Sequence, residues 1–278
     1  MNFKIVADST ANIIGLKDIA FASVPLKITV GDNEYIDDEN VDLAGMVRHL
    51  KTYKGKSGTA CPSPQDYVDA FGDADYVFCV VITNALSGSC NSARLAKEEY
   101  EATNEGKKVF VVDTLSTGPE NGLVIEKLCQ LIKSGMSFED ICQGITEYMK
   151  HTHLIFSLES LTNLANNGRV SHSVARIAGL LGIRLIGKAS DEGTLEPTNK
   201  ARGEKKAIET LYKSMQNLGY RGGKVIINHC EGAENAEKLK STILASFPDA
   251  DIKIYPNRAL CSYYAEIGGL LVGFEDSL

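Results

Sequence analysis

In the stretch "ITNALSGSCNSARL" (82–95), Ser87, Gly88 and Ser89 stand where an apolar, strand-like run gives way to a helical pattern. The first amides of a helix have no partner inside it, and the helix dipole favours negative charge at that end. Two chemistries fit these residue types. The hydroxyls can cap the helix from within, or hydroxyls and amides together can hold an anion brought in from outside. A third use, Ser87 as the nucleophile of an esterase or acyltransferase, needs a base beside it. None of the five histidines falls in the segments expected to line such a site.

A second small polar group lies in "GTACPSPQDYVDAF" (58–71). Ser63 followed by Pro64 reads as the N-cap and first turn of a helix. Thr59, just before this turn, is either a plain loop residue or a second hydroxyl aimed at the pocket of Ser87. Two more strand-like runs end in polar residues: "VADST" (6–10) with Asp8, Ser9 and Thr10, and "VVDTLSTG" (111–118) with Asp113, Thr114 and Ser116. Each alone reads as a cap or turn. Ligands of open α/β sheets gather at the C-terminal strand ends, so three such loops on one sheet edge predict a shared polar pocket.

Other familiar chemistry is absent. "GKSGT" (55–59) looks like the end of a phosphate-binding loop, but Leu50 stands where that motif needs glycine, and a helical pattern precedes it. No G-x-S-x-G surrounds a serine and no G-x-G-x-x-G follows a strand. "HTH" (151–153) puts two imidazoles on one strand face without an acidic or thiol cluster, so no metal is expected.

These loops need a scaffold. Strand-like runs fall at 3–8, 23–30, 76–82, 108–113, 153–158, 183–190, 224–230 and 251–256. Helical patterns fall at 42–52, 64–71, 89–103, 118–134, 137–149, 172–181, 203–217, 232–246 and 261–273. Continuous apolar strands alternating with amphipathic helices predict an α/β architecture with mostly parallel strands. A new α/β series starts near 151, which predicts two domains, 1–150 and 151–278.

The whole-chain properties narrow the function. The 278 residues are 44% apolar and 23% charged, with a formal charge of −7 and no basic stripe, which argues against a nucleic-acid role. Apolar runs such as "VFCVVI" (77–82) are strand-sized and too short to cross a bilayer. A strand-like run already begins at residue 3, so no signal peptide is expected. Seven cysteines, none spaced C-x-x-C, read as buried thiols of a reducing cytosol.

The sequence resembles the DegV family of bacterial fatty-acid-binding proteins nearly from end to end. The resemblance rests on "VADSTANI" (6–13), on "TACPSP" (59–64) in place of the usual T-S-Q-P-S, and on "LSGSCNSA" (86–93) in place of L-S-G-T-Y-Q-S-A. It continues through "LESLTNLANNGRVS" (158–171) and "GIRLIGKASDEGTLEPTNKARGEKKAIE" (182–209). It implies two α/β domains, the first with a mostly parallel sheet and the second with a mixed sheet and helices. One long-chain fatty acid would lie in an apolar tunnel between them, with no other cofactor. Carried over, Thr59 and Ser87 become hydroxyl donors to its carboxylate, and Gly88 and Ser89 give backbone amides. Some members carry lipid for a separate ATP-binding fatty-acid kinase, which phosphorylates the bound carboxyl group. A carrier of another small carboxylate, without a kinase, would keep the same loops.

The chain departs from the family near its C-terminus. "YYAEIGGLLVGF" (263–274) replaces H-V-G-P-G-A-L-G-x-A-F and puts Tyr264 in the position of a histidine that reaches the carboxylate. A phenol can still donate a hydrogen bond, but it is neutral at pH 7; the alternative is a packing residue of the last helix. The resemblance also places two arginines near a docking face for the kinase: Arg169, expected to be exposed after the turn "NNG", and Arg202, in "KARGEKKA" at the start of a basic helix.

Overall fold

The structure, a computed structural model, describes residues 2–178 and 182–276. In chain order the first part consists of β1 (Phe3–Asp8), β2 (Ala20–Val24), β3 (Lys27–Val30), β4 (Asn33–Ile36), α1 (Leu43–Thr52), β5 (Ser57–Ala60), α2 (Pro64–Phe71), β6 (Tyr76–Val81), α3 (Ser89–Thr103), β7 (Lys108–Asp113), α4 (Pro119–Lys133) and α5 (Phe138–Tyr148). The second consists of β8 (Thr152–Leu158), α6 (Thr162–Asn166), α7 (His172–Ala178), β9 (Ile183–Ala189), β10 (Leu195–Arg202), α8 (Glu204–Asn217), β11 (Val225–His229), α9 (Ala233–Ser246), β12 (Ile252–Pro256), α10 (Ala259–Ala265) and β13 (Leu270–Glu275).

Local chemistry sets several helix starts. Ser63 accepts a hydrogen bond from the Asp66 amide while the Asp66 carboxylate accepts from the Ser63 amide, a reciprocal cap for α2. Ser137 caps α5 through the Asp140 amide, and Pro119 opens α4. The last three positions of the helix expected over 172–181 lie outside the described residues.

Three sheets form. The first, in the order β2-β1-β6-β7, is wholly parallel. The largest, in the order β10-β9-β8-β13-β11-β12, is mixed, with only β11 and β12 parallel. A third, antiparallel, has the order β4-β3-β5 and was not expected. The strand expected over 23–30 divides between two of these sheets. Pro25 carries no amide proton and cannot continue a ladder, so β2 ends before it and β3 starts in another sheet.

The expected helix over 261–273 is a second correction. α10 stops at Ala265, Glu266 and Gly268 take positive φ values of 52° and 80°, and the remainder is β13. β13 lies in the middle of the mixed sheet, hydrogen-bonded to β8 and β11. Its run "LLVGF" is apolar on both faces because both faces are covered. Leu270, Val272 and Phe274 pack with α8 and α9, and Leu271 packs on the other side with Leu154, Phe156 and Leu158 of β8. Helix α4 joins the two halves, with Leu123, Val124, Ile125 and Leu128 in one core beside Ile226 of β11.

Candidate functional site

The polar ends of β1 and β7 are spent inside the protein. Asp8 is fully buried; its Oδ1 accepts from the Thr10 amide at 3.2 Å and the Thr10 hydroxyl at 2.5 Å, and its Oδ2 accepts from the Ile82 amide at 2.8 Å. Burial pushes its pKa up to about 6, outweighing these hydrogen bonds. The Ser9 hydroxyl accepts from the Leu26 amide, and the Thr114 hydroxyl donates to the carbonyls of Val81 and Ser116. The expected three-loop pocket therefore does not form: the β1 loop takes no part, and the β7 loop reaches the cavity beside Ser87 only through Thr117. This sheet edge is covered: the Cys261 thiol of α10 reaches the Thr10 carbonyl, and a Cβ on Gly193, in the β9–β10 turn, would lie 2.1 Å from the Thr83 hydroxyl.

The loop after β6 stays accessible. Gly88 is the N-cap of α3 and leaves it without a side-chain cap. A Cβ on Gly88 would stand 2.9 Å from the Cys61 sulfur, so glycine is what lets the two loops touch. The Ser89 amide does not await a ligand: it donates to the Ser87 oxygen at 3.2 Å. The Ser89 hydroxyl, 3.0 Å from that of Ser87, is fully buried. Of this loop, Ser87 and Leu86 line the cavity.

Thr59 is a strand residue, paired with Ile28. Its hydroxyl lies 2.7 Å from the Tyr264 phenol. One residue along α10, the Tyr263 phenol lies 2.8 Å from the Ser57 hydroxyl and accepts from the Asn167 amide nitrogen at 2.9 Å. Hydroxyl pairs thus tie β5 to α10. Thr59, Ser87 and Tyr264 share one cavity, a slender slot of about 70 Å³ walled by Leu86, Leu154, Phe156, Leu158, Leu164 and Leu271. Its polar lining comes from Thr59 and Tyr264, which share a hydrogen bond, from Ser87 and Thr117, and from Arg169, whose Nε donates to the Leu86 carbonyl at 3.1 Å.

Arg169 is the correction within the site. Instead of standing exposed on a turn, it is half-buried, lines the slot and also donates to the Asn167 carbonyl. Gly168, at φ 74°, and the bond from the Arg169 amide to the Leu164 carbonyl turn the chain back toward the Ser87 loop. Arg202 is exposed at the end of β10, before α8 rather than within it, and is not among the residues lining the slot.

A larger cleft of about 810 Å³ lies beyond Tyr263. Its buried cation, Arg184, is bound to Glu159 at 2.5 Å and Glu204 at 3.5 Å. These charges satisfy one another, and the cleft is lined largely by polar side chains such as Ser57, Ser160, Thr162 and Ser262, whereas leucines wall the slot. Among the described residues no group of three metal-ligating side chains is found, and His151 and His153 both bind the Asp276 carboxylate, at 2.9 and 3.0 Å. Among the described residues no histidine lines the slot, and none stands there as an imidazole base for Ser87. The cysteines are free; Cys61 is exposed, contrary to expectation, while Cys79, Cys90, Cys230 and Cys261 are buried.

An α/β scaffold with a leucine-lined slot that also carries several hydroxyls has the features of a protein that binds a small amphipathic molecule. The DegV family model, described as covering uncharacterised proteins, matches residues 2–275, and the chain belongs to the DegV family. It is 44% identical to a DegV domain-containing protein of Streptococcus pneumoniae (strain ATCC BAA-255 / R6), over 99% of each chain. Among solved structures it is similar to the Streptococcus pneumoniae fatty acid kinase (Fak) B3 protein loaded with linoleic acid, at 43% identity over 100% of both chains and a TM-score of 0.98. It is also similar to a DegV family protein from Eubacterium eligens loaded with heptadecanoic acid, at 42% identity over 99% of this chain and 100% of that one, with a TM-score of 0.97.

Proposed function

We propose that this protein binds one long-chain fatty acid non-covalently, with the acyl chain in the leucine-lined slot and the carboxylate at Thr59, Ser87 and Tyr264. The observation that carries the reading is the convergence of these hydroxyls, with the Arg169 guanidinium beside them, on one otherwise apolar cavity. A carboxylate inside protein is costly unless hydrogen bonds satisfy it, and this end of the slot has donors for it. The tail supplies the gross affinity: about 14 buried methylenes at roughly 0.8 kcal/mol each give about 11 kcal/mol before ordering costs. At about 70 Å³ the slot is far below the ~300–1,000 Å³ of drug-sized sites. The chain therefore enters by spreading the leucine walls.

The likeness to a fatty acid kinase B protein supports a second step. A separate cytosolic ATP-binding subunit presents its γ-phosphoryl group, a carboxylate oxygen forms the new O–P bond, and the bond to ADP breaks to leave an acyl phosphate. In this step the protein is a carrier and supplies no catalytic group. The carboxylate is held by hydroxyl donors rather than a covalent bond, so one oxygen can face the phosphorus.

Protein purified from a bacterial host, extracted with solvent and analysed by mass spectrometry, should yield about one long-chain fatty acid per chain. Protein that is empty and takes up neither oleate nor palmitate would overturn the reading. An acyl group covalently attached to Ser87 would favour the esterase instead.

A further inference from the structure

One position in the slot's wall has no side chain. β8 and β9 are antiparallel neighbours, and Phe156 stands directly opposite Gly187. Both lie on the sheet face that carries the slot. Leu154, Phe156 and Leu158 line it, and Leu185 packs in the same cluster, while Ile155 and Ile186 belong to the core on the opposite face. A Cβ on Gly187 would lie 2.3 and 2.6 Å from ring carbons Cζ and Cε2 of Phe156, and 2.6 Å from the Glu196 carbonyl oxygen on β10. The ring therefore lies down across β9, in the space a side chain would fill. Any substituent at 187 lifts the ring off the sheet, and the free volume on that side is the slot itself.

The consequence is local. Phe156 sits mid-strand between two other lining residues, Leu154 and Leu158, so the recess deepens the apolar wall at that level. A straight saturated chain needs uniform width. A cis double bond offsets the chain axis and needs extra width at one level. We propose that Gly187, acting through Phe156, lets the slot accept bent, cis-unsaturated long-chain fatty acids, and that a side chain at 187 restricts it to straight ones. The inference rests on the fatty-acid reading above. Gly187 is a positioning residue, because the group it moves is the Phe156 ring.

The test loads delipidated parent, Gly187→Ala, Phe156→Leu and the double variant with an equimolar mixture of palmitate, oleate and linoleate. The bound acids are then extracted and quantified by mass spectrometry. In Gly187→Ala the ratio of unsaturated to saturated chains should fall on the order of tenfold, the scale of one methylene's discrimination in an apolar pocket. In the double variant leucine leaves no ring to be lifted, so the unsaturated share should rise above that of Gly187→Ala, while the methyl's contact with the Glu196 carbonyl persists and is read as a lower melting temperature. Phe156→Leu alone keeps the backbone of β9 unstrained and should raise the unsaturated share even if Gly187→Ala does not fold. An unchanged ratio in Phe156→Leu, or an equal loss of all three acids in a Gly187→Ala protein that still unfolds cooperatively, would overturn the inference and leave the fatty-acid reading standing. A parent that takes up none of the three overturns that reading itself.

Discussion

The Thr59 hydroxyl lies 2.7 Å from the phenol oxygen of Tyr264, across 205 residues of sequence, and links edge strand β5 to helix α10 at the slot. Both groups can turn from each other to an incoming carboxylate. Replacing a donor to a charged group costs on the order of 1.5–3 kcal/mol, or roughly 10- to 150-fold in affinity. Thr59→Ala and Tyr264→Phe should each weaken oleate binding on that scale. Their double variant should be non-additive, because the two share one bond. Oleyl alcohol, which brings no charge, should discriminate less among these variants. Isothermal titration with acid and alcohol gives both numbers, and equal losses for the two ligands would remove these hydroxyls from the carboxylate site.

Ser87 has a second duty, since it accepts from the Ser89 amide at the start of α3. Ser87→Ala should weaken oleate binding and also lower the stability of ligand-free protein by about 1 kcal/mol, the usual net worth of a hydrogen bond. Thr59→Ala loses only its bond to the half-buried Tyr264 phenol, which can turn to water, and should leave the ligand-free melting temperature closer to the parent value. Thermal scans of delipidated protein separate the two.

The two arginines should behave differently. Arg169→Ala removes a bond that holds the Leu86 carbonyl, and should weaken fatty-acid binding as well as any kinase reaction. Arg202→Ala, exposed at the end of β10, should leave oleate affinity at the parent level and slow acyl-phosphate formation by a cognate kinase, with the effect shrinking at high salt. Kinase turnover equal to the parent's in Arg202→Ala would take that residue out of the docking face.

The contact between Gly88 and Cys61 is a packing constraint open to a double-mutant cycle. Gly88→Ala places a methyl 2.9 Å from the sulfur and should push the two loops apart, destabilising the protein by about 1–3 kcal/mol. Cys61→Ala in the same background should recover most of that loss. Denaturant unfolding of the four proteins gives the coupling; simple additivity would show that the strain lies elsewhere.

Stability should depend on pH through the buried carboxyls. Asp8, with an ordinary value of 3.8, is pushed up to about 6 when folded, so the folded protein holds this proton more tightly than the unfolded chain. Its contribution is fully present below 3.8 and is lost as pH rises through about 6, on the order of 3 kcal/mol in all. Burial pushes Asp37 and Glu120 in the same direction. His229, pushed down by burial, works against them as pH falls below its ordinary 6.5. The melting temperature of the parent minus that of Asp8→Asn should therefore decrease between pH 4.5 and pH 7. A flat difference would mean that Asp8 titrates as an exposed carboxyl.

The sequence by itself determined the elements whose signals are local. Helices α2 and α5 carry their own caps in Ser63 and Ser137, α4 opens on Pro119, and the apolar runs of the parallel sheet read as strands because both faces are covered. Thr59, Ser87 and Tyr264 were legible as a group through the family resemblance. Tertiary structure decided what local signals leave open. The run "LLVGF" became β13 rather than helix because β8 and β11 offered ladders on both sides. Arg169 turned inward because a carbonyl 83 residues away accepts its Nε. Thr10 and Thr114 spent their hydroxyls internally once α10 and the β9–β10 turn closed over that sheet edge. The slot itself exists only where one face of the mixed sheet, α10 and the Ser87 loop meet, because its walls come from segments that share no local pattern and are brought together by burial of apolar surface.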